Sequence, residues 1–478
     1  MTFDSAQLLP LIPEIAVLVL ASILLLVDLW LKEDDKGKNH VIAVFGLLAV
    51  IGLTGVVGGG AREIVLGGTY VRDPMSDLLK IAILGVSLLS FVYAKDYLQE
   101  RRMLVGEYYV LTLTAVLGMM VMVSANSFMT LYLGLELLAL SLYALVAFNR
   151  DSPSGAEAAM KYFVLGALGS GLLLYGLSML YGATGSLELG AVARAVAWQG
   201  ADNQVLVFGL VFVVIGIGFK FGAVPFHMWV PDTYQGAPNP VVLFLGSAPK
   251  IAAFALAFRL LVDGLGQLHA DWQGMLVILA VVSLAVGNLV AIAQTNIKRM
   301  LAYSTISHVG FIFLGLLAGT VEGFSAAMFY AIVYALMAAG GFGLLVIMSR
   351  QGHEVELLDD LKGLNDRDGW QAAMMTLIMF SMAGVPPTVG FMAKLLVLDA
   401  VISIGLWWLA LIAVFFSVIG AFYYLRVVKL IYFDKPETTE PLVVGAGARI
   451  ALSVNGLAIL VLGLFPAALL SYCQAALG

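Results

Sequence analysis

Fourteen long, mostly apolar stretches separated by short polar breaks run the whole length of this chain. Such runs are long enough to cross a bilayer as helices, each needing about 20 residues. They fall at Leu11–Leu31, His40–Val57, Met75–Tyr93, Tyr108–Val123, Ser127–Phe148, Glu157–Tyr181, Gln204–Val230, Val241–Val262, Trp272–Ala293, Met300–Gly319, Gly323–Ser349, Trp370–Ile402, Leu406–Tyr432 and Arg449–Tyr472. A spanning β-barrel would show alternating ten-residue strands instead. With 61% hydrophobic and 12% charged residues, the 478-residue chain cannot clothe itself in a water-facing surface, since soluble domains carry about 25% charged residues. The expected fold is an all-α polytopic membrane protein. Its single cysteine, Cys473, excludes an internal disulfide and a thiolate metal cluster.

The distribution of charge sets an expected orientation. The amino terminus carries Asp4 and Glu14 and no basic residue before the first span, while Lys32, Lys36 and Lys38 follow it. This is not a signal peptide pattern and places the amino terminus outside. Of the 25 Lys and Arg, 16 then fall in inside loops, Arg350 among them, and five (Arg62, Arg72, Lys80, Arg194 and Arg259) in outside loops or at their edges. With an even number of spans, both termini are expected outside. The outside segment Leu187–Asn203 has room for a surface helix at Glu188–Trp198.

The remaining four lysines, Lys161, Lys220, Lys250 and Lys394, lie within spans, as do Glu136 and His308. A charge near the bilayer centre costs several kcal/mol and commonly marks an ion or proton path. Lys161 is shallow enough to snorkel to the interface, and His308 would also serve as a neutral packing residue. Lys220, Lys250, Lys394 and Glu136 are deep. Structural ion pairing is the plain alternative for them, but it leaves lysines in excess of the one deep glutamate. Burial disfavours an ammonium and a neighbouring carboxylate favours it, so such a set suits proton exchange rather than nucleophilic chemistry.

Two spans carry helix breakers at depth: Gly216, Gly218, Gly222, Pro225 and Pro231 in the seventh, and Gly384, Pro386, Pro387 and Gly390 in the twelfth. Broken backbone survives in lipid only where protein or water satisfies the freed groups. The two spans are five apart, which suggests two inverted five-helix repeats, spans four to eight and nine to thirteen, a plan of secondary transporters. The expected division is 1–105 as an amino-terminal three-span segment, 106–433 as a translocating core with repeats at 106–262 and 272–433, and 434–478 as a final span.

GFKFGAVPFHMWVPDTYQGAPNPVVLFLGSAPK (Gly218–Lys250), NIKRMLAYSTISHVGF (Asn296–Phe311) and SMAGVPPTVGFMAKL (Ser381–Leu395) resemble the antiporter-like membrane subunits of proton-pumping NADH:quinone oxidoreductase, respiratory complex I. Within that group the chain is most similar to the subunit N branch. APNPVVLFLGSAPK stands where related subunits read PTPVSALIHA, and the long lateral helix of subunit L is not expected after the fourteenth span. The resemblance implies a translocase subunit with a proton relay of Glu136, Lys220, Lys250 and Lys394, with Lys161 and His308 as lesser members. It implies no cofactor in this chain, with NAD, FMN, Fe–S clusters and quinone held by other subunits. It also implies a bacterial inner-membrane location and, as neighbours, subunit M, the small membrane subunits and lipid, with no nucleic acid. A cation/proton antiporter subunit and a purely structural scaffold are the other readings.

Overall fold

The computed structural model describes residues 5–200, 203–349, 352–436 and 440–478; Arg350, counted above among the inside charges, lies outside them. The first three crossings are α1 (Ile12–Asp28), α2 (Gly37–Val57) and α3 (Pro74–Glu100). Between α2 and α3 an antiparallel hairpin, β1 (Glu63–Val65) with β2 (Tyr70–Arg72), pairs Ile64 with Val71. Next come α4 (Gly106–Val123), α5 (Phe128–Val146), α6 (Pro153–Thr184), the surface helix α7 (Leu189–Gln199), α8 (Gln204–Phe221) and the short α9 (Trp229–Gly236). The following crossing is built from α10 (Asn239–Gly246), α11 (Ala248–Ala257) and a π-helical turn, Phe258–Gly264. The second half contains α12 (His269–Ile292), α13 (Ile297–Leu317), α14 (Val321–Met348), the one-turn α15 (Leu364–Arg367), α16 (Gly369–Ala383), α17 (Val389–Ser403) and α18 (Trp407–Phe433). The chain closes with α19 (Ala446–Leu464) and α20 (Ala467–Leu477).

Among the described residues, 13 elements are long and apolar enough to cross a membrane. The remaining expected span, the twelfth, is the pair α16 and α17, each 15 residues and too short alone. Helix starts follow the side chains available to satisfy free N–H groups. Asp73 and Ser76 form a capping box on α3, Ser127 caps α5, Asn296 caps α13 and Asp368 caps α16.

The seventh and twelfth spans break where expected. α8 stops at Gly222, whose φ of +78° needs a residue without a side chain, and α16 stops at Gly384, φ +87°. Pro225, and Pro386 with Pro387, then carry the chain through the two gaps. Within the seventh span, expected over Gln204–Val230 with a break inside it, seven residues separate α8 from α9, because Gly222 and Pro225 both oppose helix. Two further interruptions were not anticipated. The eighth span kinks at Ser247 (φ −115°, ψ −88°), two residues before Pro249. The final span, expected as one helix over Arg449–Tyr472, divides at Phe465 and Pro466, and α20 packs back on α14 and α3. Small residues allow the closest crossings: a side chain at Gly118 in α4 would collide with the backbone of Gly134 and Leu138 in α5.

Candidate functional site

Lys220 lies in the last turn of α8 and donates to Ser170 Oγ on α6 at 3.0 Å. Lys250, on α11, is 1% exposed. Its Nζ donates to Phe221 O, the last carbonyl of α8, at 3.0 Å and lies 5.5 Å from the Trp229 ring centre. Lys220, Lys250, Tyr162 and Trp229 line one cavity of about 30 Å³, a volume that suits a single water. Leu135, Leu138 and Ala139 of α5 form another wall.

Lys394 occupies the same relation to the second break. Its Nζ donates to Met382 O at 3.1 Å and Ala383 O at 2.8 Å, the free carbonyls ending α16, and to Ser417 Oγ on α18 at 2.9 Å. Carbonyls at a helix C-terminus lack intrahelical donors and carry the negative end of the helix dipole, so an ammonium there is favoured by about 0.3–1 kcal/mol or more. Spacing along the sequence pairs Lys220 with Lys394. Local chemistry pairs Lys250 with Lys394, since each seats its amine on the carbonyl end of a broken helix.

His308 is buried between α13, α14 and α18. Its Nδ1 is 2.7 Å from Tyr330 Oη and its Nε2 is 3.1 Å from Tyr424 Oη. Both ring nitrogens thus face hydroxyls able to donate or accept. One turn on, Phe311 stacks on Tyr330 and lies 5.2 Å beneath Lys394 Nζ, so the histidine cluster and the second break share a wall.

Glu136 is half-buried on α5, and its Oε1 is enclosed without a hydrogen-bond partner. Among the described residues no cationic nitrogen approaches its carboxylate within 4.0 Å, so Glu136 and Lys220 make no direct ion pair in this structure. Lys161 stands apart from the lysine cavity. It is exposed near the start of α6, 2.9 Å from both Glu157 and Asp232.

Three cations counted with the loops and their edges are buried in the structure. Lys80 and Arg259, assigned to outside edges, are each 1% exposed. Lys80 Nζ is 2.8 Å from Glu14 and donates to Tyr70 Oη at 2.9 Å. Glu14 is 4% exposed, so it is an enclosed carboxylate near the start of α1. Arg259 lies 2.8 Å from Asp73 and 2.9 Å from Asp263. Burial would raise the Asp73 carboxyl, but the Arg259 guanidinium and the Ser76 N–H overcome it and hold Asp73 below its ordinary value. Lys298, counted as an inside loop charge, is buried against Ala237 O and Glu356. The signal for the first pair was present, because Glu14 and Lys80 both fall within the bounds drawn for spans one and three.

Among the described residues no group of three or more His, Cys, Asp or Glu side chains is placed to hold a metal ion. The family described as NADH:quinone oxidoreductase/Mrp antiporter, TM, matches residues 125–420. Subunit N of the NADH-quinone oxidoreductase of Thioalkalivibrio sulfidiphilus is 57% identical over 478 residues, covering 100% of both chains. A chain of respiratory complex I from Thermus thermophilus superposes with a TM-score of 0.83 at 32% identity, covering 96% of this chain and 99% of that one. A chain of the membrane-bound sulfane sulfur reductase, an archaeal respiratory membrane complex, superposes with a TM-score of 0.86 at 26% identity, covering 98% and 97%. This multi-pass membrane protein belongs to the NADH-quinone oxidoreductase subunit N family.

Proposed function

We propose that this chain is the proton-translocating subunit N of a bacterial NADH-quinone oxidoreductase and moves protons through its buried lysines. The observation that carries the reading is the placement of Lys250 and Lys394 on the free carbonyl ends of two broken helices, in a chain matched end to end by subunit N relatives. In this reading a change of charge near Glu136 alters the proton affinity of Lys220. A proton then passes across the shared cavity to Lys250, on through the His308 cluster to Lys394, and out. Hydroxyls flanking both nitrogens of His308 suit it to accept on one side and donate on the other.

The redox groups, NAD, FMN, Fe–S clusters and quinone, belong to partner subunits, so the driving force reaches this chain through contacts with its membrane neighbours, subunit M and the small subunits. The charge bias puts both termini on the outer side of the inner membrane, with residues 106–433 as the translocating core of two inverted repeats, 106–262 and 272–433.

Gentle solubilisation of the native membrane, followed by identification of co-migrating chains, tests the assignment. Co-migration with NADH-oxidising and Fe–S subunits, together with NADH-driven quinone reduction, is expected. Migration with antiporter subunits and no quinone reductase would replace it with the antiporter reading.

A further inference from the structure

The eight-residue helix α9 separates two cavities. At its start, Trp229 lines the 30 Å³ space shared by Lys220 and Lys250. At its end, Asp232, Gln235 and Gly236 line a vestibule of about 240 Å³ together with Glu157, Lys161 and Glu356. At 1.5 Å per residue the two ends are roughly 10 Å apart.

The helix is tied differently on its two sides. Trp229 Nε1 donates to Phe219 O at 3.1 Å, and the indole stacks on Tyr162 with ring centres 4.6 Å apart. Three residues later Asp232 divides its carboxylate: Oδ2 is 2.9 Å from Lys161 on α6, and Oδ1 is 2.7 Å from Arg299 on α13. Arg299 also donates to Gln235 Oε1 at 3.0 Å. One carboxylate therefore binds α9 to a helix from each half of the protein, and Glu157 and Glu356 are the other charged groups around it. At the other end of the seven-residue break, Gly222 with its positive φ ends α8, so no helix holds α9 from that side.

We propose that Asp232 is a positioning residue that latches α9 shut, and that releasing its ties to Lys161 and Arg299 lets α9 swing and joins the vestibule to the lysine cavity. Trp229 moves with the helix, so the latch also sets how closely the indole covers Lys250. Lys161 then acts at the mouth of the path rather than in its middle. The proposal rests on the reading of the lysine cavity as part of the proton path, and the two are tested separately.

The test uses the assembled complex in vesicles that expose the face on which Lys161 and Arg299 lie. Replacing the buried native cysteine (Cys473→Ala) leaves a cysteine-free chain, and Ala253→Cys then places one thiol in the cavity wall. The probe is a membrane-impermeant methanethiosulfonate bearing a trimethylammonium group. With Asp232 intact, labelling is slow. Asp232→Asn accelerates it on the order of tenfold, the population shift expected when a charge-assisted tie of ordinary strength is lost, and Asp232→Glu restores the slow rate. If Asp232→Asn fails to accumulate, Arg299→Gln, which cuts one tie and leaves the other, gives the same reading. Unchanged labelling in an assembled variant overturns the latch, even if Lys250→Ala abolishes pumping. Normal pumping by Lys250→Ala overturns the path, even if labelling accelerates.

Discussion

Replacing Lys80 by methionine isolates the worth of the buried ion pair that joins α1 to α3. Glu14 and Lys80 are 4% and 1% exposed and 2.8 Å apart, with Tyr70 Oη 2.9 Å from each. At an effective dielectric near 20 their attraction is about 6 kcal/mol, offset by a desolvation cost of several kcal/mol for each ion. The net value of the pair is therefore small, but the cost of breaking it from one side is not. Lys80→Met leaves the carboxylate buried with only the Tyr70 hydroxyl to donate to it, at an expected cost of about 3–5 kcal/mol. Adding Glu14→Gln removes the stranded charge, and the double variant should return to within about 1 kcal/mol of wild type. Thermal unfolding of the solubilised complex, with subunit content in membranes, across the four members of the cycle measures this. Protons pumped per NADH oxidised should be normal in the double variant, because this pair lies away from the lysine cavity. A Lys80→Met protein as stable as wild type, or a double variant as unstable as the single, would refute the reasoning.

Other outcomes follow from single contacts. Asp73 is held below its ordinary value of 3.8 chiefly by Arg259 acting against burial. A depressed acid stabilises the fold above its unfolded value and loses that contribution as pH falls through the folded one. The stability gap between wild type and Asp73→Asn should therefore be full at pH 7 and close on acidification below about 3.8, as read by melting temperature against pH. Gly343→Ala would set a Cβ 2.7 Å from the ring of buried Tyr93 and should lower stability by about 1–3 kcal/mol through overpacking, measured in the same melting assay. At Glu136, NADH-driven proton uptake should fall in the order wild type, Asp, Gln at near-normal subunit content. Equal uptake by the Gln variant would remove its charge from the mechanism.

Apolar length alone located nearly every crossing, because a helix that must span lipid leaves a long run with few alternatives. The breaks at Gly222–Pro225 and Gly384–Pro387 were legible for a related reason, since glycine and proline act on their own backbone. Pro466 carried the same information and was passed over because the run around it stayed apolar. The kink at Ser247 was harder to see: it arises two residues before Pro249 in a segment buried on all sides. The deep lysines were legible as span residues, but their partners were not. Nothing in the order of residues says that Lys250 reaches Phe221 O or that Lys394 reaches Ala383 O, because those carbonyls become available only when α8 and α16 end. Asp232 was not legible since it lies at the edge of a span among polar residues, and its partners Lys161 and Arg299 are 71 and 67 positions away. The burial of Lys80 was not legible because charge counting assigns a residue near a span end to the loop, whereas its amine is turned inward to Glu14.

The central claim is that the buried lysines carry protons rather than hold helices together. The most direct measurement is the number of protons translocated per NADH oxidised, in sealed vesicles containing Lys220→Ala or Lys394→Ala, beside subunit content and the thermal stability of the complex. The account predicts a clear fall in that ratio for both variants while assembly stays near normal, since a small neutral side chain removes the titrating group without stranding a charge. A wild-type ratio in both, at normal assembly, would contradict it and leave these lysines as structural partners of the broken helices.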